Sequence, residues 1–345
     1  MTFTWPDVLS TLTARRDLEP EAVRWAMGEI LDGQASDPQI AGFAVALRTK
    51  GETRAELQAL ADQMLESAVR LSVTDRVLDI VGTGGDLANT VNISSMSAVV
   101  AAGAGAGVVK HGNRSASSSS GSADVLEALG VRLDVPADRI LDVYERAGIT
   151  FCFARVFHPS FRHIGPARSA LGIPTTFNFL GPLTNPAAPS AIAIGCADAA
   201  MAPLMAGVLA ERGCDGLVFR GDDGLDELTI TTTSRVWVVA DGEVAEETLD
   251  PTDLGFTLAP ADALAGGDVA YNADVFVRVL DGEQGAPRDA VLLNAGAGIA
   301  VHAAQPGSLT ERLAVGIERA RESIDSGAAR DVLARWAAAT AELSA

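Results

Sequence analysis

Three short stretches of this 345-residue chain carry residue types suited to binding anions and the cations that accompany them. The first is Gly82-Thr83-Gly84-Gly85-Asp86, followed closely by Thr90, Asn92, Ile93, Ser94 and Ser95. Three glycines in four positions let a backbone approach a ligand, and a helix opening at Asn92 would aim its first N–H groups at the loop. The second is Lys110-His111-Gly112-Asn113-Arg114-Ser115-Ala116, which continues into hydroxyls at Ser117, Ser118, Ser119, Ser120 and Ser122. Lys110 is one of two lysines in the chain, so this basic cluster stands against a net charge of −19. The third holds Asp222, Asp223, Asp226 and Glu227, four carboxylates in six residues. Each stretch also has a plainer reading. A glycine turn can serve packing alone, a serine run can be a surface loop, and an acidic run can be a solvated turn. Together the first two fit a ligand with more than one phosphate. The third fits Mg2+, which favours one or two carboxylates plus phosphate oxygens.

The elements that must position these residues follow from periodicity. Val77, Leu78, Ile80 and Val81 read as a buried strand leading into the first loop. Ile93, Met96, Val99 and Val100 give a helical stripe running to about residue 104, and Val108-Val109 is a second strand that delivers Lys110. Strand-helix alternation over 73–158 predicts a largely parallel sheet, with a helix ended by Gly148 and a strand over 149–154. Residues 1–71 read as helical throughout: Pro20 and Pro38 suit first turns, and Thr53 to Glu56 is a capping box opening a helix to about residue 71. Pro166 begins a short helix with Arg168 in its first turn, where the dipole disfavours a cation. A bound carboxylate or phosphate would explain that arginine, and so would a side chain swung out to solvent. His158 and His163 lack Cys or acidic partners at ligand spacing and read as structural or pocket-lining.

Alternation resumes near residue 191, a hairpin turns at Asp241-Gly242, and amphipathic helices run from about residue 272 onward. The expectation is an α/β protein: a small all-helical domain plus a larger α/β domain with a mostly parallel central sheet. The helical domain spans 1–71 and is completed by about 160–185; the α/β domain takes 72–159 and 186–345.

Composition narrows the partners. At 48% hydrophobic the chain can bury a large core, and its acidity argues against a nucleic-acid surface. Three widely spaced cysteines in apolar contexts read as reduced, in the cytoplasm. No secretory leader opens the chain, and the longest apolar run is too short and too glycine-rich for a bilayer.

The motifs GTGGD, NIS, KHGNR, SGSAD, DGLDE and the later PARSALGIPTTFNFLGPLTNPA resemble those of the anthranilate phosphoribosyltransferases, which share their fold with the pyrimidine nucleoside phosphorylases. The resemblance runs from about residue 57 to 336. It implies transfer of 5-phosphoribose from phosphoribosyl pyrophosphate (PRPP) to the amine of anthranilate, in tryptophan biosynthesis. It also implies PRPP on Gly82, Gly85, Asp86, Thr90, Asn92, Ile93, Ser94, Ser95, Lys110, His111, Gly112, Asn113, Arg114, Ser115, Ala116, Ser117, Ser118 and Ser122. Anthranilate falls to Asn113 and Arg168, with Gly82 at the boundary, and Mg2+, as two ions, to Ser94, Asp226 and Glu227. A homodimer through the helical domain is expected, both from the resemblance and because the apolar stripes of the first helices exceed what a small lobe can bury. The alternatives are a nucleoside phosphorylase of the same fold and a non-catalytic nucleic-acid-binding relative; the acidic charge and the DGLDE motif argue against both.

Overall fold

A computed structural model describes residues 2–114 and 120–344. The assignments to Ser115, Ala116, Ser117 and Ser118 lie outside the described residues. The chain opens with α1 (Trp5–Thr13), α2 (Pro20–Leu31), α3 (Asp37–Lys50) and α4 (Arg54–Glu66). The capping box forms as read: the Glu56 N–H donates to Thr53 Oγ1, and the Thr53 N–H donates to Glu56 Oε2. This helix stops at Glu66 rather than near residue 71. Beyond it the chain is tied elsewhere, with the Val69 N–H donating to Phe157 O and the Leu71 N–H to Pro186 O.

The α/β part runs β1 (Val77–Gly82), α5 (Ile93–Gly103), β2 (Gly107–Gly112), α6 (Ser122–Ala128), α7 (Ile140–Ala147) and β3 (Ile149–Phe153). An excursion follows, built from α8 (Ala154–Phe157), α9 (Gly165–Leu171) and short 3-10 turns. The chain returns through β4 (Ala191–Gly195), α10 (Met201–Glu211), β5 (Asp215–Gly221), β6 (Ser234–Ala240) and β7 (Glu243–Leu249). It ends in α11 (Val269–Leu280), α12 (Ala286–Ala303), α13 (Leu309–Asp325) and α14 (Ala328–Leu343). Among the described residues the sheet order is β3-β2-β1-β4-β5-β6-β7, parallel from β3 to β5 and antiparallel at β6 and β7. The β6–β7 hairpin turns at Asp241 and Gly242, both with positive φ, as a two-residue type I′ turn requires.

Two buried clusters flank the sheet, and strand alternation divides residues between them. Ala191 and Ala193 of β4 face the cluster of α5, α7, α12 and α14. Ile192 and Ile194 face the other, with Val8, Leu12, Phe43, Leu57 and Leu60 of the first helices and Met201 and Met205 of α10. Most of the apolar stripes of α1–α4 are therefore consumed within one chain. Phe3, Leu9, Trp25 and Ala41 are among the apolar residues left only partly buried. α12 is buried along residues 290–301, apolar nearly all round, as befits a helix enclosed on every side. No helix among the described residues is long and apolar enough to cross a membrane.

Candidate active site

The parallel strands β2, β1 and β4 end at Gly112, Gly82 and Gly195, and Gly82 and Gly195 are register partners. The acidic loop after β5 is laid across these ends. A Cβ at Gly195 would stand 1.6 Å from Asp226 O, and one at Gly82 would stand 2.3 Å from Asp226 Oδ2. Only glycine admits the loop at both places. The sequence placed Gly82 on the substrate side, yet this face of it is filled by the Asp226 carboxylate. Gly195 was missed, and its one signal was a glycine closing an apolar strand.

The four carboxylates of the loop separate. Asp223 accepts from Thr229 Oγ1 at 2.6 Å and from Thr231 Oγ1, and Asp222 accepts from Thr233 Oγ1, so these two stabilise the loop itself. Asp226 Oδ2 accepts the Gly84 N–H at 2.6 Å, and Glu227 Oε1 accepts the Ser94 N–H at 3.2 Å. The sequence reading expected free N–H groups around this loop and helix start. Several of them are engaged instead: Ile93 N–H donates to Val91 O, Ser95 N–H to Asn92 O, and the Gly84 and Ser94 N–H groups to the acid pair. The anion that the α5 dipole favours is, in this arrangement, Glu227.

Charge at this end is one-sided. Burial and the neighbouring Asp86 push Asp226 up to about 7. Burial and Asp226 hold Glu227 well above the carboxylate range. Asp79, wholly buried on β1, is raised to about 6 by burial, although it accepts from Asn185 Nδ2 and the His111 N–H. The cation set against them is Lys110, 2% exposed, whose Nζ donates to Ile80 O at 2.5 Å and Ser94 Oγ at 3.3 Å. Burial lowers its pKa while Asp79, Glu227 and Asp226 oppose the shift. Four carboxylates against one ammonium leave a deficit of positive charge, which a divalent cation would offset. No group of three His, Cys, Asp or Glu forms a protein-only metal cage among the described residues. Mg2+ needs none, since it is commonly held by one or two carboxylates, substrate phosphates and water. Asp226 and Glu227, with Ser94 Oγ nearby, fit that requirement.

The other predicted residues fall into three groups. Asn92 stands at the N-cap of α5, but its side chain does not cap; Oδ1 accepts from Asn272 Nδ2 at 3.0 Å. Asn272, 2% exposed on α11, also donates to Ser120 Oγ and accepts the Gly267 N–H, joining the two loops. It too was missed, though a polar residue three and seven positions before the apolar Val275 and Val279 was its signal. Thr90 pairs with Ala265 through the backbone, Gly85 and Asp86 lie on the loop itself, and Ser122 opens α6.

The basic cluster is less free than its sequence suggests. Arg114 pairs with Asp124 and Glu127, which raise its pKa, so its charge is largely spent on α6. Asn113 is exposed and accepts the Arg114 N–H. Gly112 lies where a Cβ would meet the Phe151 ring at 2.8 Å. His111 is buried, with Nδ1 on Gly181 O at 2.9 Å, and burial takes its pKa down to about 3. His158, its ring 5.1 Å away, bonds Thr184 O and is lowered to about 4 by burial. The His111–Gly181 contact docks the excursion onto β2.

On that excursion Arg168 is the fourth residue of α9, and its N–H donates to Ile164 O. It is not in a first turn, so the dipole argument for it fails. A different one replaces it. The guanidinium lies over the Phe161 ring, 5.6 Å from its centroid, and burial lowers its pKa. No carboxylate pairs with it among the described residues.

Two family models match the chain: the glycosyl transferase family helical bundle domain over residues 6–68 and the glycosyl transferase family a/b domain over residues 74–330. The chain is 63% identical over 339 residues to an anthranilate phosphoribosyltransferase of a Nocardioides species, covering 98% of this chain and 99% of that one. A crystal structure of anthranilate phosphoribosyltransferase from Thermus thermophilus is similar at a TM-score of 0.90 and 42% identity, covering 97% and 99% of the two chains. The Saccharomyces cerevisiae protein in complex with PRPP and Mg is similar at a TM-score of 0.88 and 26% identity, covering 98% of each.

Proposed function

The chain belongs to the anthranilate phosphoribosyltransferase family and catalyses transfer of 5-phosphoribose from PRPP to the amine of anthranilate; we propose how its site divides that work. The products are N-(5-phosphoribosyl)anthranilate and pyrophosphate. Breaking the bond at ribose C1 leaves oxocarbenium character on the sugar and negative charge on the leaving pyrophosphate. Bound Mg2+ would supply the positive charge that stabilises this leaving group. Asp226 and Glu227 would hold it, as two ions, with the two carboxylates resting on different backbone partners, Gly84 and Ser94. PRPP takes the two loops that Asn272 joins. Arg168 receives the anthranilate carboxylate and aims the ortho amine by a directional, bidentate pair. No side chain is assigned as a general base; an aromatic amine loses its proton readily once the C–N bond forms, and positioning supplies the rate.

The observation that carries this reading is the surplus of buried carboxylate at the strand ends, unmatched by protein cations. Anthranilate fluorescence followed with PRPP and Mg2+ tests it. The signal should change only when both are present, and no change with both would sink the assignment. We place the reaction in the cytoplasm, in keeping with three unpaired cysteines. Residues 1–71 and about 160–185 form the helical lobe. Through the partly exposed Phe3, Leu9, Trp25 and Ala41 it makes a homodimer, and a monomeric mass in light scattering at micromolar concentration would refute that.

A further inference from the structure

Asn294 lies on α12, wholly buried among Val291, Leu292, Leu293 and Ala295. A polar amide in such surroundings is costly unless its groups are satisfied, and here they are. Its Oδ1 accepts the Leu228 N–H at 2.9 Å. Its Nδ2 donates to Leu228 O at 2.8 Å and to Ala290 O at 2.9 Å, using both amide hydrogens. A single side chain thus holds both backbone groups of one residue, and that residue directly follows Glu227. On the other side of the pair, the Asp226 carbonyl is pressed against Gly195. The peptide carrying Asp226 and Glu227 is gripped before and after. Two adjacent carboxylates repel, and without this grip the segment could relieve the repulsion by turning one of them away.

We propose that Asn294 is the positioning residue of the acid pair, fixing the Leu228 backbone and so the direction in which Asp226 and Glu227 present their carboxylates to a divalent cation. The inference rests on the reading of that pair as the cation holders. It makes a residue of the enclosed C-terminal helix part of cation binding, with no contact of its own to the ion.

The test compares Asn294→Leu, which keeps the branched shape and removes all three bonds, with Asn294→Ser, which is smaller, less disruptive and too short to bridge Leu228. Mn2+ binding is read by electron paramagnetic resonance in the presence of PRPP, with Asp226→Asn measured beside them. Loss of an outer-shell partner predicts Mn2+ affinity lower by about 10–100-fold in the Asn294 variants, with the anthranilate KM at saturating metal unchanged. A folded Asn294→Ser protein that binds Mn2+ like the parent, while Asp226→Asn does not, overturns the proposal. So does a parallel rise in the anthranilate KM, which would mean general loosening of the core. If Asp226→Asn also binds Mn2+ like the parent, the cation reading itself falls, whatever Asn294 does. An Asn294→Leu chain that fails to fold leaves the decision to Asn294→Ser.

Discussion

The strand ends and the excursion carry opposite electrostatic debts. At the strand ends, Asp79, Asp226 and Glu227 lie around the single buried Lys110, and burial raises the pKa of all three. On α9 in the excursion, Arg168 is partly buried over Phe161 with no carboxylate partner among the described residues, and burial lowers its pKa. One region lacks a cation and the other an anion. Arg114 shows what a satisfied arginine looks like in the same chain, paired with Asp124 and Glu127. The difference teaches that being basic or acidic does not mark a site residue; being left unbalanced after folding does.

The heaviest blow to this contrast would come from the acid pair. Replacing Asp226→Asn and Glu227→Gln together should lower kcat/KM by about 10³-fold, since a bound cation contributes several kcal/mol to charge stabilisation. The fold should persist, because removing buried like charges relieves repulsion. Turnover equal to the parent, and indifferent to EDTA, would erase the cation deficit as a functional feature.

On the excursion, Arg168→Ala should lower kcat/KM by roughly 2–3 kcal/mol through a raised anthranilate KM. The KM for PRPP should change far less. Loss of PRPP binding with an unchanged anthranilate KM would assign the arginine to the other substrate, and the two regions would then share one ligand.

A milder effect follows from pH. With Asp226 near 7 in the metal-free protein, protons compete with the cation, and affinity for Mg2+ should fall by about tenfold from pH 8 to pH 6. Stability without metal has the opposite dependence. An acid raised from 3.8 to about 7 favours the folded state while protonated, so its contribution is lost as pH rises through about 7. His111 and His158, lowered to about 3 and about 4, cost stability as pH falls below 6.5. Calorimetry in EDTA should therefore show stability declining on both sides of mildly acidic pH, with Mg2+ restoring the alkaline side. A metal-free protein that gains stability steadily from pH 6 to 8 would contradict the burial of unpaired acid.

The sequence by itself determined the parallel sheet, the first four helices and the three chemical stretches, because each rests on a local pattern: β-branched runs, capping pairs, glycine spacing. DGLDE was legible as a cation site only alongside the plainer reading of a solvated turn. Tertiary structure decided which carboxylates reach the strand ends. Asp222 and Asp223 found threonine hydroxyls within a dozen residues, while Asp226 found Gly84, 142 positions away, and Glu227 found Ser94, 133 positions away. The roles of Gly195, Asn272 and Asn294 belong to packing for the same reason: each acts on a backbone or side chain from a distant element. Local pattern fixes where a chain can turn, bury and cap. Whether a charge remains unbalanced depends on the partners that packing brings to it, and no spacing along the chain records that.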